Sequence, residues 1–176
     1  HPMKSSALFL LFACAVIAAP RYPPTIHGAK VEVYKKASGA ELKVWIFNPE
    51  GHAPGNARPA VVFFFGGGWK SGSPGQFEQQ CRYLASRGMV AMTADYRVLT
   101  RHGTKAVSCV EDGKSAVRWI RENAKRLGID PKPVAAGGGS AGGHVAAAIG
   151  TISKFDARGE NKRVSSKPNA LVLFNP

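Results

Sequence analysis

Ser140 stands between glycines at a fixed spacing: Gly138, Ser140 and Gly142 spell G-x-S-x-G. That pattern belongs to a sharp strand-to-helix turn that carries a nucleophile. The reason is steric. The chain reverses tightly around the serine, and side chains two before and two after would clash with the crossing backbone, so both positions want glycine. The turn lifts Oγ clear of the sheet and aims the first amides of the next helix at whatever the oxygen attacks. The chemistry implied is attack on a carbonyl carbon.

Such a serine needs a base, a group that orients the base, and donors for the oxyanion. Donors are available. Ala141 N–H is the first amide after the nucleophile, and Gly66, Gly67 and Gly68 follow the apolar run 60–65, where free amides could face the turn. Trp69 follows the glycines; it either lines an acyl pocket or packs over the loop. The base is harder. In this architecture the acid and then the histidine follow the serine. After Ser140 the sequence has one histidine, His144, a helical turn away. It is expected to face into the packing of its helix, as a structural residue. Asp156 and Glu160 come before the next strand, too early for the acid, and His27, His52 and His102 precede the serine. The catalytic acid and base are therefore expected outside these 176 residues, and the chain as given is not expected to turn over efficiently.

A rival pattern overlaps the first. Gly137, Gly139 and Gly142 also spell G-x-G-x-x-G, with Asp156 at about the distance of a ribose-binding acid. The dinucleotide reading fails on context: two buried strands precede the pattern, Asp156 does not end a strand, and the triple glycine is left without a role. Asp95 and Arg97, at a strand end, read as loop ties. Asp112 reads as a partner for its helix dipole. No Cys or His pair has metal-ligand spacing, and the serine chemistry needs no cofactor.

The elements that must position these groups alternate in type. Residues 30–34 and 41–47 read as strands, the first at a sheet edge. Residues 60–65, 89–94 and 171–174 are apolar runs of buried-strand length. Residues 74–87 read as a helix, with Phe77, Cys81, Leu84 and Ala85 on one face. Ser108 and Glu111 match a capping box opening a second helix that ends at Gly128. The helix after Ser140 runs to about Gly150, and 154–168 is a charged loop. Apolar strands alternating with amphipathic helices imply an α/β domain with a mostly parallel sheet and helices on both faces. The last strand has no helix to cover it, so the chain reads as the N-terminal portion of a larger domain.

Formal net charge is +13, from 24 Lys and Arg against 11 Asp and Glu. The basic residues are dispersed, which reads as a solvated surface and not a nucleic-acid interface. Residues 1–2 read as leader residues or a scar. Residues 3–19, with Lys4 before an apolar stretch and small residues at 18–19, read as a secretory signal peptide too short to span a membrane. Residues 20–28 form a Pro-rich linker, and 29–176 form the incomplete domain. Export to the periplasm or outside the cell follows; a lipid anchor at Cys14 is the less favoured outcome. In an exported chain Cys81 and Cys109 could pair, or stay as two buried thiols.

Five ordered motifs now carry a resemblance: Phe63 to Trp69 with its three glycines, Ala94-Asp95-Tyr96-Arg97, Ser115 to Arg121, Leu127 to Pro131, and Gly138 to His144. Together they resemble the α/β-hydrolase superfamily, and more narrowly its hormone-sensitive-lipase-like and exported carbohydrate acyl-esterase branches. The resemblance implies Ser140 as nucleophile and the amides of Gly67, Gly68 and Ala141 as oxyanion donors. Two positions differ from the lipase-like pattern: Phe65 stands where a histidine precedes the glycines, and Gly139 stands where an aspartate precedes the serine. The form Gly-Gly-Ser-Ala-Gly-Gly-His is closer to exported acetyl- and feruloyl-esterases. The resemblance implies hydrolysis of short-chain acyl or carbohydrate acyl esters through an acyl-enzyme. A serine peptidase of the prolyl-oligopeptidase kind shares the elbow, and a non-catalytic hydrolase-fold binding domain is the alternative from another class.

Overall fold

Residues 60–64 are apolar at every position, so both faces of their strand must be covered. In the computed structural model, which describes residues 22–176, they are buried at the centre of a six-stranded sheet. The strands are β1 (Lys30–Ala37), β2 (Ala40–Phe47), β3 (Arg58–Phe64), β4 (Val90–Ala94), β5 (Ile129–Gly139) and β6 (Ala170–Phe174). Their spatial order is β1-β2-β4-β3-β5-β6. β1 and β2 enter as an antiparallel hairpin, and β2 joins β4 antiparallel. β4, β3, β5 and β6 run parallel. The sheet is therefore mixed and mostly parallel, as the alternation predicts.

The helices are α1 (Glu78–Ser86), α2 (Leu99–His102), α3 (Ala106–Glu122), α4 (Ala124–Leu127) and α5 (Ala141–Thr151). They divide the core in two. On one face Leu42, Val44, Val62, Phe64 and Met92 pack under Val117 and Ile120 of α3 and Val145 and Ile149 of α5. On the other, Trp45, Phe47, Val61 and Phe63 pack under Phe77, Cys81 and Ala85. Alternate residues of one strand thus feed opposite layers. The cysteines fall one in each layer, Cys109 with the first and Cys81 with the second, and both are free. Burial pushes both thiols up, Cys109 to about 12, so neither supplies a ready thiolate. Of the two readings left open, buried thiols is the one observed.

Four expectations are corrected by tertiary neighbours. The helix of 74–87 opens as a 3-10 turn (Pro74–Phe77), capped by Ser73 Oγ, before α1 proper. Ser108 is no cap: α3 begins two residues earlier, after extended Lys105. Asp112 does not sit at a helix start. It is buried in the middle of α3, where Arg97 grips both carboxylate oxygens at 2.8 Å and Lys35 of β1 reaches Oδ1 at 2.8 Å. Arg97 N–H adds a bond to Oδ2 at 2.9 Å. This set ties an edge strand, a strand end and a helix together; removing one partner from such a buried set costs on the order of 3–5 kcal/mol. Finally, β6 is a strand but is not buried: Leu171, Val172 and Leu173 are each 39% exposed and Phe174 46%.

The Pro-rich stretch before β1 is packed down, with Ile26 buried under α1 and Arg82 donating to the His27 carbonyl. The charged loop after α5 is pinned to α3: Arg118 pairs with Asp156 (2.8 Å) and Glu160, and Arg121 donates to the carbonyls of Ser165 and Lys167 at 2.7 Å. Asp156 is therefore a loop anchor, not a ribose ligand. The signal-peptide and lipid-anchor expectations fall on residues outside those described. Among the described residues no helix is long and apolar enough to cross a membrane.

Candidate active site

Two glycine-rich turns meet because their strands are neighbours. β3 and β5 pair in parallel with Phe64 opposite Gly138, so the turns that follow them emerge side by side at the C-terminal edge of the sheet. The approach is close. A Cβ placed on Gly66 would lie 3.3 Å from Ser140 Cβ and 2.9 Å from the Gly139 carbonyl oxygen.

Ser140 caps the N-terminus of α5 with φ 51° and ψ −122°, a backbone conformation that an L side chain rarely adopts. It is held there. Its N–H donates to the Phe174 carbonyl at 2.9 Å, and its own carbonyl accepts from His144 N–H at 2.9 Å. The flanking glycines are needed for the predicted reason. A Cβ on Gly142 would lie 2.0 Å from the Phe64 carbonyl oxygen, and one on Gly138 would lie 2.4 Å from the Gly142 carbonyl carbon. The serine side chain is exposed.

The loop after β3 is a rigid turn. Gly67 adopts φ 136°, and its carbonyl accepts from both Lys70 and Ser71 N–H at 3.1 Å. Trp69 O and Lys70 O accept from Leu99 and Thr100 N–H, which fastens the turn to α2. Gly66 N–H donates to Gln76 Oε1 at 2.5 Å. Among the described residues, the N–H groups of Gly67, Gly68 and Ala141 donate to no acceptor. Three unengaged donors thus sit on the two turns that flank an exposed hydroxyl, an arrangement able to receive a carbonyl oxygen that becomes negative.

Phe65, which stands in the histidine's place, holds the loop by another route. It is fully buried and stacks on Tyr96 with centroids 4.1 Å apart and planes at 15°. Tyr96 Oη donates to the Phe65 carbonyl at 2.5 Å. Arg101 crosses behind, donating to Gly72 O at 2.9 Å.

Three histidines are placed by their ring contacts. His52 bonds the Leu127 carbonyl at 2.8 Å, and His102 Nδ1 accepts from Val98 N–H at 3.0 Å. Burial holds the His102 ring below the usual imidazole range. Contrary to the expectation above, His144 does not face into helix packing. It is exposed, and its Nδ1 accepts from Trp69 Nε1–H at 3.2 Å. Among the described residues no histidine or carboxylate bonds Ser140 Oγ, and no three His, Cys, Asp or Glu side chains cluster as metal ligands do.

Asp95, at the end of β4 on the same edge, is buried. Burial raises its carboxyl to about 6 from an ordinary 3.8, with Arg101 3.8 Å away offsetting part of the rise. The native state therefore binds an extra proton between about pH 4 and pH 6. Across that window Asp95 makes the fold less stable as pH rises, and above it the penalty is constant. Asp95→Asn is expected to lack this slope. Wild type should gain roughly 2.5 kcal/mol on the variant between pH 7 and pH 4, most of the full shift at 1.36 kcal/mol per unit. Urea denaturation of both proteins at four pH values checks this; parallel stability curves would contradict it.

Residues 46–173 match the BD-FAE family. The chain belongs to that family. Carboxylic ester hydrolase LipN of Mycobacterium tuberculosis is 32% identical over 139 residues, covering 78% of this chain and 36% of the relative. Carboxylesterase NlhH of the same organism is 33% identical over 97 residues, 54% of this chain and 30% of the relative. The apo form of Thermogutta terrifontis esterase 2 superposes with a TM-score of 0.87 at 54% identity, over 89% of this chain and 58% of that one. The chain thus spans about a third of the M. tuberculosis relatives and under two thirds of the Thermogutta esterase. The α/β-hydrolase resemblance is borne out by this BD-FAE match and by the shared architecture.

Proposed function

We propose that the protein is a carboxylic ester hydrolase in which Ser140 is the nucleophile. The observation that carries the reading is the exposed, backbone-strained Ser140 hydroxyl beside the unengaged amides of Gly67, Gly68 and Ala141. Oγ attacks the ester carbonyl carbon. The carbonyl oxygen becomes an oxyanion held by the three amides, the tetrahedral intermediate expels the alcohol, and water later releases the acid from Ser140. Loss of one such donor typically costs on the order of a hundredfold. The general base and the acid that orients it are proposed to come from residues outside 1–176. No metal or cofactor enters this scheme.

The named relatives support ester over peptide substrates. Thermogutta terrifontis esterase 2 is known phosphorylated by paraoxon, at 52% identity to this chain, and in propionate- and butyrate-bound forms. From those forms we propose for this protein a nucleophile that organophosphates trap and a preference for short acyl groups. Carbohydrate acyl esters are the natural subset to try, and export is proposed from the leader-like residues 3–19.

The test is labelling. Paraoxon applied to the whole protein is expected to add one diethylphosphoryl group on the peptide containing Ser140, located by mass spectrometry. p-Nitrophenyl propionate and butyrate are expected to be cleaved faster than the decanoate. A label on another residue would remove Ser140 from the mechanism, and faster cleavage of peptide p-nitroanilides would favour the peptidase.

A further inference from the structure

We infer that Trp69 and His144 are positioning residues: their side chains form a clasp that holds the glycine loop in register with the elbow helix. The inference rests on the ester-hydrolase reading, because the groups held in register are its oxyanion donors.

Trp69 follows Gly68 directly, so the loop amides move with it. Its backbone is in the left-handed region, φ 60°, which a bulky residue keeps only when its surroundings over-determine it. Two contacts do so. The main-chain oxygen accepts from Leu99 N–H at 3.1 Å, and the indole Nε1–H donates to His144 Nδ1 at 3.2 Å. The rings also meet edge to face, with centroids 5.2 Å apart and planes at 86°. His144 is one turn beyond Ser140 and donates its N–H to the serine carbonyl. One contact thus joins the loop after β3 to the helix that carries the nucleophile. Both side chains are exposed, Trp69 by 36%, so core burial does not account for their pairing.

The chemistry of the pair fixes a proton. An indole can only donate, so His144 Nδ1 must carry a lone pair, and the proton of the neutral ring sits on Nε2. Asparagine would place Oδ1 close to the position of Nδ1 and would also accept; leucine would not.

Kinetics with p-nitrophenyl propionate on the whole protein test the clasp. Trp69→Phe and His144→Leu should each lower kcat roughly tenfold with little change in KM, the size of one net hydrogen bond turned to positioning. The double variant should lose no more than either single one, since both break the same contact. His144→Asn should recover most of the loss seen in His144→Leu. Nitrogen-15 spectra of the wild type should show the Nε2–H tautomer at His144, a measurement that stands even if a variant fails to fold. Additive losses, an Nδ1–H tautomer, or wild-type kcat in His144→Leu would overturn the clasp. A Ser140→Ala protein that keeps full activity would instead overturn the hydrolase reading beneath it.

Discussion

Ser140→Ala is expected to lower kcat/KM toward p-nitrophenyl propionate by on the order of ten-thousandfold or more and to abolish paraoxon labelling. The fold should survive the change. Ser140 Oγ makes no hydrogen bond among the described residues, the side chain is exposed, and the N–H bond to Phe174 O is untouched. Alanine also suffers the same backbone strain as serine, so the denaturation midpoint should move little. What remains of the rate would come from the donors alone, which can still bind a carbonyl oxygen attacked by water. Steady-state kinetics and labelling on one preparation separate the outcomes. A loss smaller than tenfold would mean that another group attacks the ester.

Gly142→Ala should be the most destructive single-methyl change at the site. The added Cβ would lie 2.0 Å from Phe64 O and 2.5 Å from Phe65 O, and both partners are backbone, at the last residue of β3 and the residue after it. Neither can retreat without parting β3 from α5. The cost should reach or exceed the roughly 3 kcal/mol upper end of ordinary overpacking, and the elbow should be lost with it. Gly68→Ala is the matched control. Nothing lies within 4 Å of its added Cβ, but the residue keeps φ 62°. Its cost should be only about 1 kcal/mol, from backbone strain. Urea midpoints of the two variants measure the difference directly. Equal midpoints would show that the close approach at Gly142 relaxes freely.

The parts of this molecule legible from sequence are those whose physics is local. The elbow is written in two glycines because the clash is with backbone a few residues away or on the next strand. The parallel core is written in unbroken apolar runs such as 60–64, because a strand covered on both faces has no polar side to show. What sequence could not supply is which distant partner claims a polar group. Ser108 and Glu111 matched a cap, but Glu111 is held by Arg97 instead. Asp112 reads as a dipole partner from its place near a helix start, but Arg97 and Lys35 surround its carboxylate. His144 departs from its expected place for the same reason. Spacing placed it one turn from Ser140 but could not reveal that Trp69, 75 positions upstream, would meet its ring. The pairing has a signal all the same: a tryptophan directly after the glycine loop and a histidine one turn after the elbow serine. The apolar run 171–174 forms the strand it promised, while the exposure of that strand is a property of its neighbours.

The strain at Ser140 has a consequence for descent as well as for catalysis. A backbone at φ 51° and ψ −122° is one that glycine occupies freely and serine does not. Ser140→Gly should therefore yield a dead protein with a higher denaturation midpoint than wild type, by about 1 kcal/mol or more. On the proposed ester-hydrolase reading, selection for turnover is then what keeps serine in this turn; stability alone pulls the other way. A lineage relieved of catalysis and retained for binding would be expected to lose this residue early and to lose it to glycine. Among hydrolase-fold domains, a turn reading Gly-x-Gly-x-Gly in an otherwise intact elbow would mark a retired enzyme, and its thermal stability beside active kin would record the retirement.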